Sequence, residues 1–280
     1  MFKLFFKSTV AAVLCVVSLL NIAQASLLVS PTRLAFEGRE RSHEIVLINT
    51  STEVRTYRLK WVEKMAMPTG GYRELSAQEA MTYNSASEMI RFSPKQVTLK
   101  PKERQVVRLG LRRPKGLADG EYRSHLKFEA LPLKRDNNDS GEMSIRLDVL
   151  LSYSLPIVVR QGEVTHHIEI ASKTLAFDSH TGKTQLSVNL SRSGQYSTTG
   201  SLTAFWQDGS NAEKVVARLN NVNIYPELSQ TTQVMAWIEK DFRPASGTLR
   251  IVYEGKQEFN GQIFAEREFK VTPAMFNAQL

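Results

Sequence analysis

Met143 to Arg160 read MSIRLDVLLSYSLPIVVR. In the first half, Met143, Ile145, Leu147, Val149 and Leu151 alternate with Ser144, Arg146, Asp148, Leu150 and Ser152, the period of two that gives a β-strand one apolar face. A polar stretch from Lys134 to Gly141 precedes it, and the apolar segment Leu155 to Val159, interrupted by Pro156, follows near the middle of the chain. A domain boundary is expected there, after residue 158. Such a strand either faces the core of its own domain or offers its apolar face to another polypeptide, and alternation alone allows both.

Outward from this stretch the pattern stays β. Leu27 to Phe36 is apolar but broken by Pro31, which removes a ladder donor and confines the strand to an edge or a kink; a first strand that bends there can change partners halfway. His43 to Asn49, Val54 to Val62, Ile90 to Ser93, Gln105 to Leu111 and Glu121 to Leu131 read as strands; on the last, Tyr122, Ser124, Leu126 and Phe128 face one way, and Arg123, His125, Lys127 and Glu129 the other. Pro68 to Gly71 is a turn, and Ser76 with Glu79 has capping-box spacing for one helical turn. Beyond Arg160, strands are expected at 164–170, 185–190, 200–206, 214–219, 221–225, 231–238, 247–254 and 261–271, with a frayed tail after Val271. Short strands at regular spacing with almost no helical periodicity predict an all-β protein of two β-sandwiches, one over 26–158 and one over 159–280.

The N-terminus carries Lys3 and Lys7, an apolar run from Val10 to Leu20 and the small-residue pattern Ala23-Gln24-Ala25. That is the layout of a cleaved secretory signal over 1–25. Cys15 is the single cysteine and lies inside that signal, with Leu14 where a lipoprotein signal needs a small residue, so the mature chain has no disulfide and relies on packed cores. Without Lys3 and Lys7 the balance is 34 basic against 28 acidic residues. Export, and the lack of a basic run interleaved with aromatics, argue against a nucleic-acid partner. No later stretch is apolar enough to span a membrane.

Catalytic motifs are missing. There is no G-x-S-x-G, H-E-x-x-H or phosphate-binding glycine pattern, and no thiol outside the signal. His166 and His167 are adjacent on an expected strand and so face opposite sides, which is no chelating pair. No enzyme activity, metal or cofactor is expected.

Several local motifs carry a resemblance: Pro31 to Phe36; Phe92-Ser93-Pro94 with Val97 to Pro101 and Gln105 to Leu109; Gly120 to Leu126; Ala130-Leu131-Pro132; and Leu155 to Arg160. Together they resemble the periplasmic chaperones of chaperone–usher pili, and the Tyr122-Arg123-Ser124-His125-Leu126 form is similar to the archaic, Csu-type branch. The likeness covers the first domain; in the second it rests on size, strand character and Ile224 to Glu227. It implies two immunoglobulin-like sandwiches set at an angle with a cleft between them.

It also implies a periplasmic chaperone that folds strand-deficient pilus subunits by donor-strand complementation and hands them to an outer-membrane usher. In that mode an edge strand is lent to an incomplete sheet. Met143, Ile145, Leu147, Val149 and Leu151 would be the donor residues, since a one-residue slip would offer Arg146 and Asp148 to the subunit's groove. Four buried aliphatics would contribute on the order of 6 to 12 kcal/mol before ordering costs.

The resemblance further implies a pair of basic residues in the cleft that hold the subunit's terminal carboxylate. Arg33 matches the first. Pro156 stands where the second, a lysine, is expected, which makes Arg123 the preferred substitute and His125 a weaker one. Arg160 resembles the family's domain-linking arginine, with no acidic partner evident. The free donor strand could be protected by a self-capping dimer or by the first strand. The alternative is a secreted immunoglobulin-like adhesive or structural module without a pilin client.

Overall fold

A computed structural model describes residues 26–132, 150–163, 165–209, 212–239 and 242–277. The expected signal and four of the five donor positions, Met143, Ile145, Leu147 and Val149, lie outside them.

The first sandwich is built from nine strands in two sheets. Strands β1 (Leu27–Ser30), β2 (Leu34–Phe36), β3 (Ser42–Asn49) and β4 (Arg55–Val62) precede a small hairpin of β5 (Lys64–Ala66) and β6 (Tyr72–Glu74), after which come β7 (Ile90–Ser93), β8 (Gln96–Leu99), β9 (Arg104–Leu111), β10 (Gly120–Ala130) and β11 (Tyr153–Gln161). One sheet runs β1-β3-β9-β7 and the other β2-β11-β10-β4-β8. Alternate residues of both sheets, among them Ile45, Leu47, Tyr57, Val107, Leu109, Leu126, Phe128, Ile157 and Val159, fill one core. The bend at Pro31 does what its missing N–H dictates: Leu27 to Ser30 pair with β3, whereas Leu34 to Phe36 cross to the other sheet and pair in parallel with Ile157 to Val159 of β11. Ser76 caps a single helical turn, α1 (Ala77–Ala80), through the reciprocal Ser76–Glu79 box.

The second sandwich has eight strands: β12 (His166–Asp178), β13 (Lys183–Gly194), β14 (Thr198–Gln207), β15 (Lys214–Ile224), β16 (Gln230–Ala236), β17 (Gly247–Gly255), β18 (Ile263–Val271) and β19 (Phe276–Asn277). Its sheets are β16-β13-β12-β19 and β15-β14-β17-β18. They close over a separate core centred on Leu186, Val188, Trp206, Leu249 and Ile251.

Three expectations are corrected. The boundary after residue 158 falls inside β11, because Val159 and Arg160 pair with Tyr122 and Glu121 of β10; the change of sandwich comes between Gln161 and His166. The separate strands expected at 214–219 and 221–225 are one strand, β15, which passes through Asn221 in the left-handed region (φ 58°) where its register with β14 shifts. The tail is not frayed through residue 277, for Phe276 pairs with Leu175 and packs on the second core.

Candidate functional site

The edge of β11 and the junction between the sandwiches lie next to each other. β10 pairs along the whole length of β11, but β2 covers only Ile157 to Val159, so among the described residues Tyr153 to Pro156 have a strand partner on one side only. A shallow groove of about 270 Å³ opens along this edge, lined by Leu27, Leu28, Val29, Phe128, Tyr153 and Leu155. It exists because β1 departs to the opposite sheet at Pro31. Leu151, the one described donor position, precedes β11 rather than belonging to a strand and is 51% exposed. Toward Arg160 the same strand runs into the junction.

There the outer face of β10 and β11, the polar side on which Arg123 and His125 were expected, is covered. Their side chains are buried, as are those of Arg33 and Arg160. The cover comes from the β5–β6 hairpin and from two loops of the second sandwich. Pro68 at the hairpin tip accepts from the Thr232 N–H at 3.1 Å and the Thr231 hydroxyl at 2.8 Å. Tyr72 shares a hydrogen bond with Tyr225 (3.0 Å), and Ala66, Tyr225 and Leu228 form a small apolar cluster of their own.

Two ionic groups fill the junction. In the first, Arg160 donates from Nε to Glu121 Oε2 (3.3 Å) and from Nη2 to the Ser197 carbonyl (3.0 Å), and pairs with Glu37 and with Glu258. Glu121 Oε2 also accepts from the Ser197 N–H (2.8 Å) and hydroxyl (2.7 Å). Arg33, just ahead of β2, donates to Ser197 Oγ (2.8 Å), Glu258 Oε1 (3.3 Å) and the Tyr225 hydroxyl (3.4 Å). Burial alone would lower its pKa, and nearby Tyr225, Glu258 and Glu121 reverse this and hold it above the ordinary arginine value.

In the second group, Arg123 forms a two-pronged pair with Glu227: Nη2 with Oε1, and Nη1 with Oε2 at 3.4 Å. Its Nη2 also donates to the Lys64 carbonyl (3.2 Å), and its guanidinium lies 3.7 Å from the centre of the Tyr225 ring. Against the cost of burial, Tyr83, Tyr225 and Glu227 push its pKa up. His125, opposite Pro156 in the register, stacks edge-on to Tyr72 at 5.0 Å. Neither of its ring nitrogens has a hydrogen-bond partner, and burial, with Arg123, Lys64 and Arg33 nearby, lowers its pKa to about 3. It is a neutral ring at physiological pH and supplies no charge for an anion.

The structure thus brings Arg33, Arg123, His125 and Arg160 to one junction. None of the three arginines is an open cation: each is matched by carboxylates. Sequence reasoning named the arginines and missed the acids, because Glu37, Glu121, Glu227 and Glu258 come from four separate places in the chain. Glu121 and Glu227 fell within quoted motifs, Gly120 to Leu126 and Ile224 to Glu227, but nothing local marked either as an arginine's partner. His166 and His167 do face apart: the former packs on Phe259 and Phe264, the latter pairs with Glu169 on the surface. Among the described residues no group of three histidine, cysteine or acidic side chains could hold a metal ion, and no helix is long and apolar enough to cross a membrane.

No protein-family model and no curated protein matches the sequence. Similar solved structures include the CupB2 chaperone of Pseudomonas aeruginosa, at 12% identity and a TM-score of 0.46 over 88% of this chain and 99% of that one. A chain of the CsuC–CsuE chaperone–tip subunit pre-assembly complex of archaic Csu pili from Acinetobacter baumannii matches at 16% identity and a TM-score of 0.43, over 89% and 99%. A chain of the Salmonella enterica SafA pilin–SafB chaperone complex matches at 9% identity and a TM-score of 0.44, over 89% and 98%. In its two-sandwich, all-β arrangement this chain is similar to the fimbrial chaperones of chaperone–usher systems, the archaic Csu chaperone among them.

Proposed function

We propose that this protein is a periplasmic, non-enzymatic chaperone whose two sandwiches act as separate domains, and which binds strand-deficient pilus subunits and delivers them to an outer-membrane usher. The observation that carries the reading is the half-paired edge of β11. Among the described residues Tyr153 to Pro156 leave one side of the strand open, and the chain leading into that edge has the alternating apolar sequence Met143 to Leu151. An open edge lends backbone donors and acceptors, and alternate apolar side chains fill a client's exposed core. Arg123, beside the inner end of the edge, is the cation that exchanges its acid for the client's terminal carboxylate, Arg33 stands next to it with Glu258 retained, and Arg160 joins the domains.

Co-expression with a strand-deficient archaic-type pilin tests this. A stable one-to-one complex is expected, and its loss is expected when Leu147 and Val149 are both replaced by Asp while the free protein stays folded. Capture that survives the double replacement would overturn the donor assignment.

A further inference from the structure

Around Glu227 the first sandwich has the form of a receptor for a carboxylate. Arg123 on β10 presents both terminal nitrogens, one to each carboxylate oxygen, and the Ala66 N–H of β5 donates to Oε1 at 3.0 Å. The guanidinium is fixed by the Tyr225 ring beneath it and by the Lys64 carbonyl, so it cannot swing to another partner. All three donors belong to the first sandwich; the acid they hold belongs to the second.

That acid is the exchangeable member. Glu227 sits in the turn from Tyr225 to Leu228, closed by the Leu228 N–H donating to the Tyr225 carbonyl at 3.0 Å, and its side chain is 17% exposed against 3% for Arg123. Glu258, the acid on Arg33, is shared with Arg160, so its departure would leave Arg33 without a carboxylate and Arg160 with only Glu37 and Glu121. A buried guanidinium stripped of its partner is strongly destabilising, whereas exchanging one carboxylate for another keeps the pair intact.

We infer that Glu227 is a built-in stand-in for the terminal carboxylate of a bound polypeptide, occupying the receptor formed by Arg123 and the Ala66 N–H until an incoming chain end displaces it. The inference rests on the proposed role of Arg123 as an anchor and adds its regulation. Held in the same molecule, Glu227 competes at a high effective concentration, so a small free anion does not displace it. A chain end already aligned along the β11 edge does. The competitor therefore admits a terminus only when strand pairing supports it.

The test uses the full mature chain and an eleven-residue alternating valine–threonine peptide with a free C-terminal carboxylate, alongside the same peptide amidated; binding is read by fluorescence anisotropy. Glu227→Gln should tighten binding of the carboxylate peptide about fivefold or more and leave the amidated one unchanged. Arg123→Gln should erase the preference for the carboxylate. If the preference survives in Arg123→Gln, or no variant binds either peptide, the anchor reading fails and this inference with it. If Arg123→Gln erases the preference but Glu227→Gln does not tighten the carboxylate peptide, the anchor stands and Glu227 is a structural brace only. Glu227→Asp, which keeps the charge but shortens the reach, guards against misfolding of the Gln variant. It should give an intermediate gain, and an affinity equal to that of the unmodified protein would overturn the stand-in role.

Discussion

Glu121 and Arg160 are paired residues on neighbouring strands, β10 and β11, yet the carboxylate that joins them is held equally by Ser197 of the other sandwich. A contact inside one sheet thereby becomes a fastening between two. Glu121→Ala leaves a buried guanidinium short of one acid and the Ser197 N–H without an acceptor. A loss of about 3 kcal/mol in urea unfolding is expected, with Glu121→Gln milder because its amide oxygen still accepts. Equal losses for the two variants would show that the charge of Glu121 contributes little.

His125 makes stability depend on pH. Its folded pKa is about 3, below the ordinary value of 6.5, so the unfolded chain takes up the proton first on acidification. The contribution is complete above pH 6.5 and is lost as the pH falls toward 3. Between pH 7 and pH 5 this one ring should account for about 2 kcal/mol. His125→Leu should flatten the acid limb of the stability curve by that amount, measured by urea midpoints at the two pH values; a curve parallel to that of the unmodified protein would contradict it.

Leu151 separates binding from folding. Half-exposed and outside any strand, it should tolerate Leu151→Asp with a stability change within about 0.5 kcal/mol. Recovery of a co-expressed pilin should nevertheless fall, since the same residue is offered as the last apolar donor. Pilin yields unaffected by the change would remove Leu151 from the donor set.

Gly255 supports the junction from a distance. A Cβ there would collide with the Phe259 carbonyl, across the loop that carries Glu258 to Arg33 and Arg160. Gly255→Ala should cost about 1 to 3 kcal/mol. It should also shift the amide resonances of Arg33 and Arg160, which lie in the other sandwich; changes confined to residues near 255 would show that the loop is not coupled to them.

What the sequence made legible was whatever is written locally. The alternation of Tyr57, Leu59, Val107 and Leu109, the missing donor at Pro31 and the Ser76–Glu79 box each act within a few residues, and each appears in the fold as expected. The hairpin of β5 and β6 was seen only as its Pro68 to Gly71 turn, because three-residue strands leave too few positions for a period. Burial of Arg123 and His125 was illegible for another reason. On a strand, polar residues opposite an apolar face normally meet water, and what covers these two arrives from residues 64–74 and 225–228. The continuity of β15 through Asn221 was hidden by a pair of asparagines that reads as a break.

The hydrogen bonds from Thr231 and Thr232 to Pro68 join positions more than 160 residues apart. In any N-to-C order of emergence, Arg33 and Arg123 come out well before Glu258 and Glu227, the acids that receive them. Domains generally fold in order of synthesis. The first sandwich can therefore close its core early, but its junction face stays charged and wet until the last third of the chain arrives, and the finished protein is sealed by its latest-made residues.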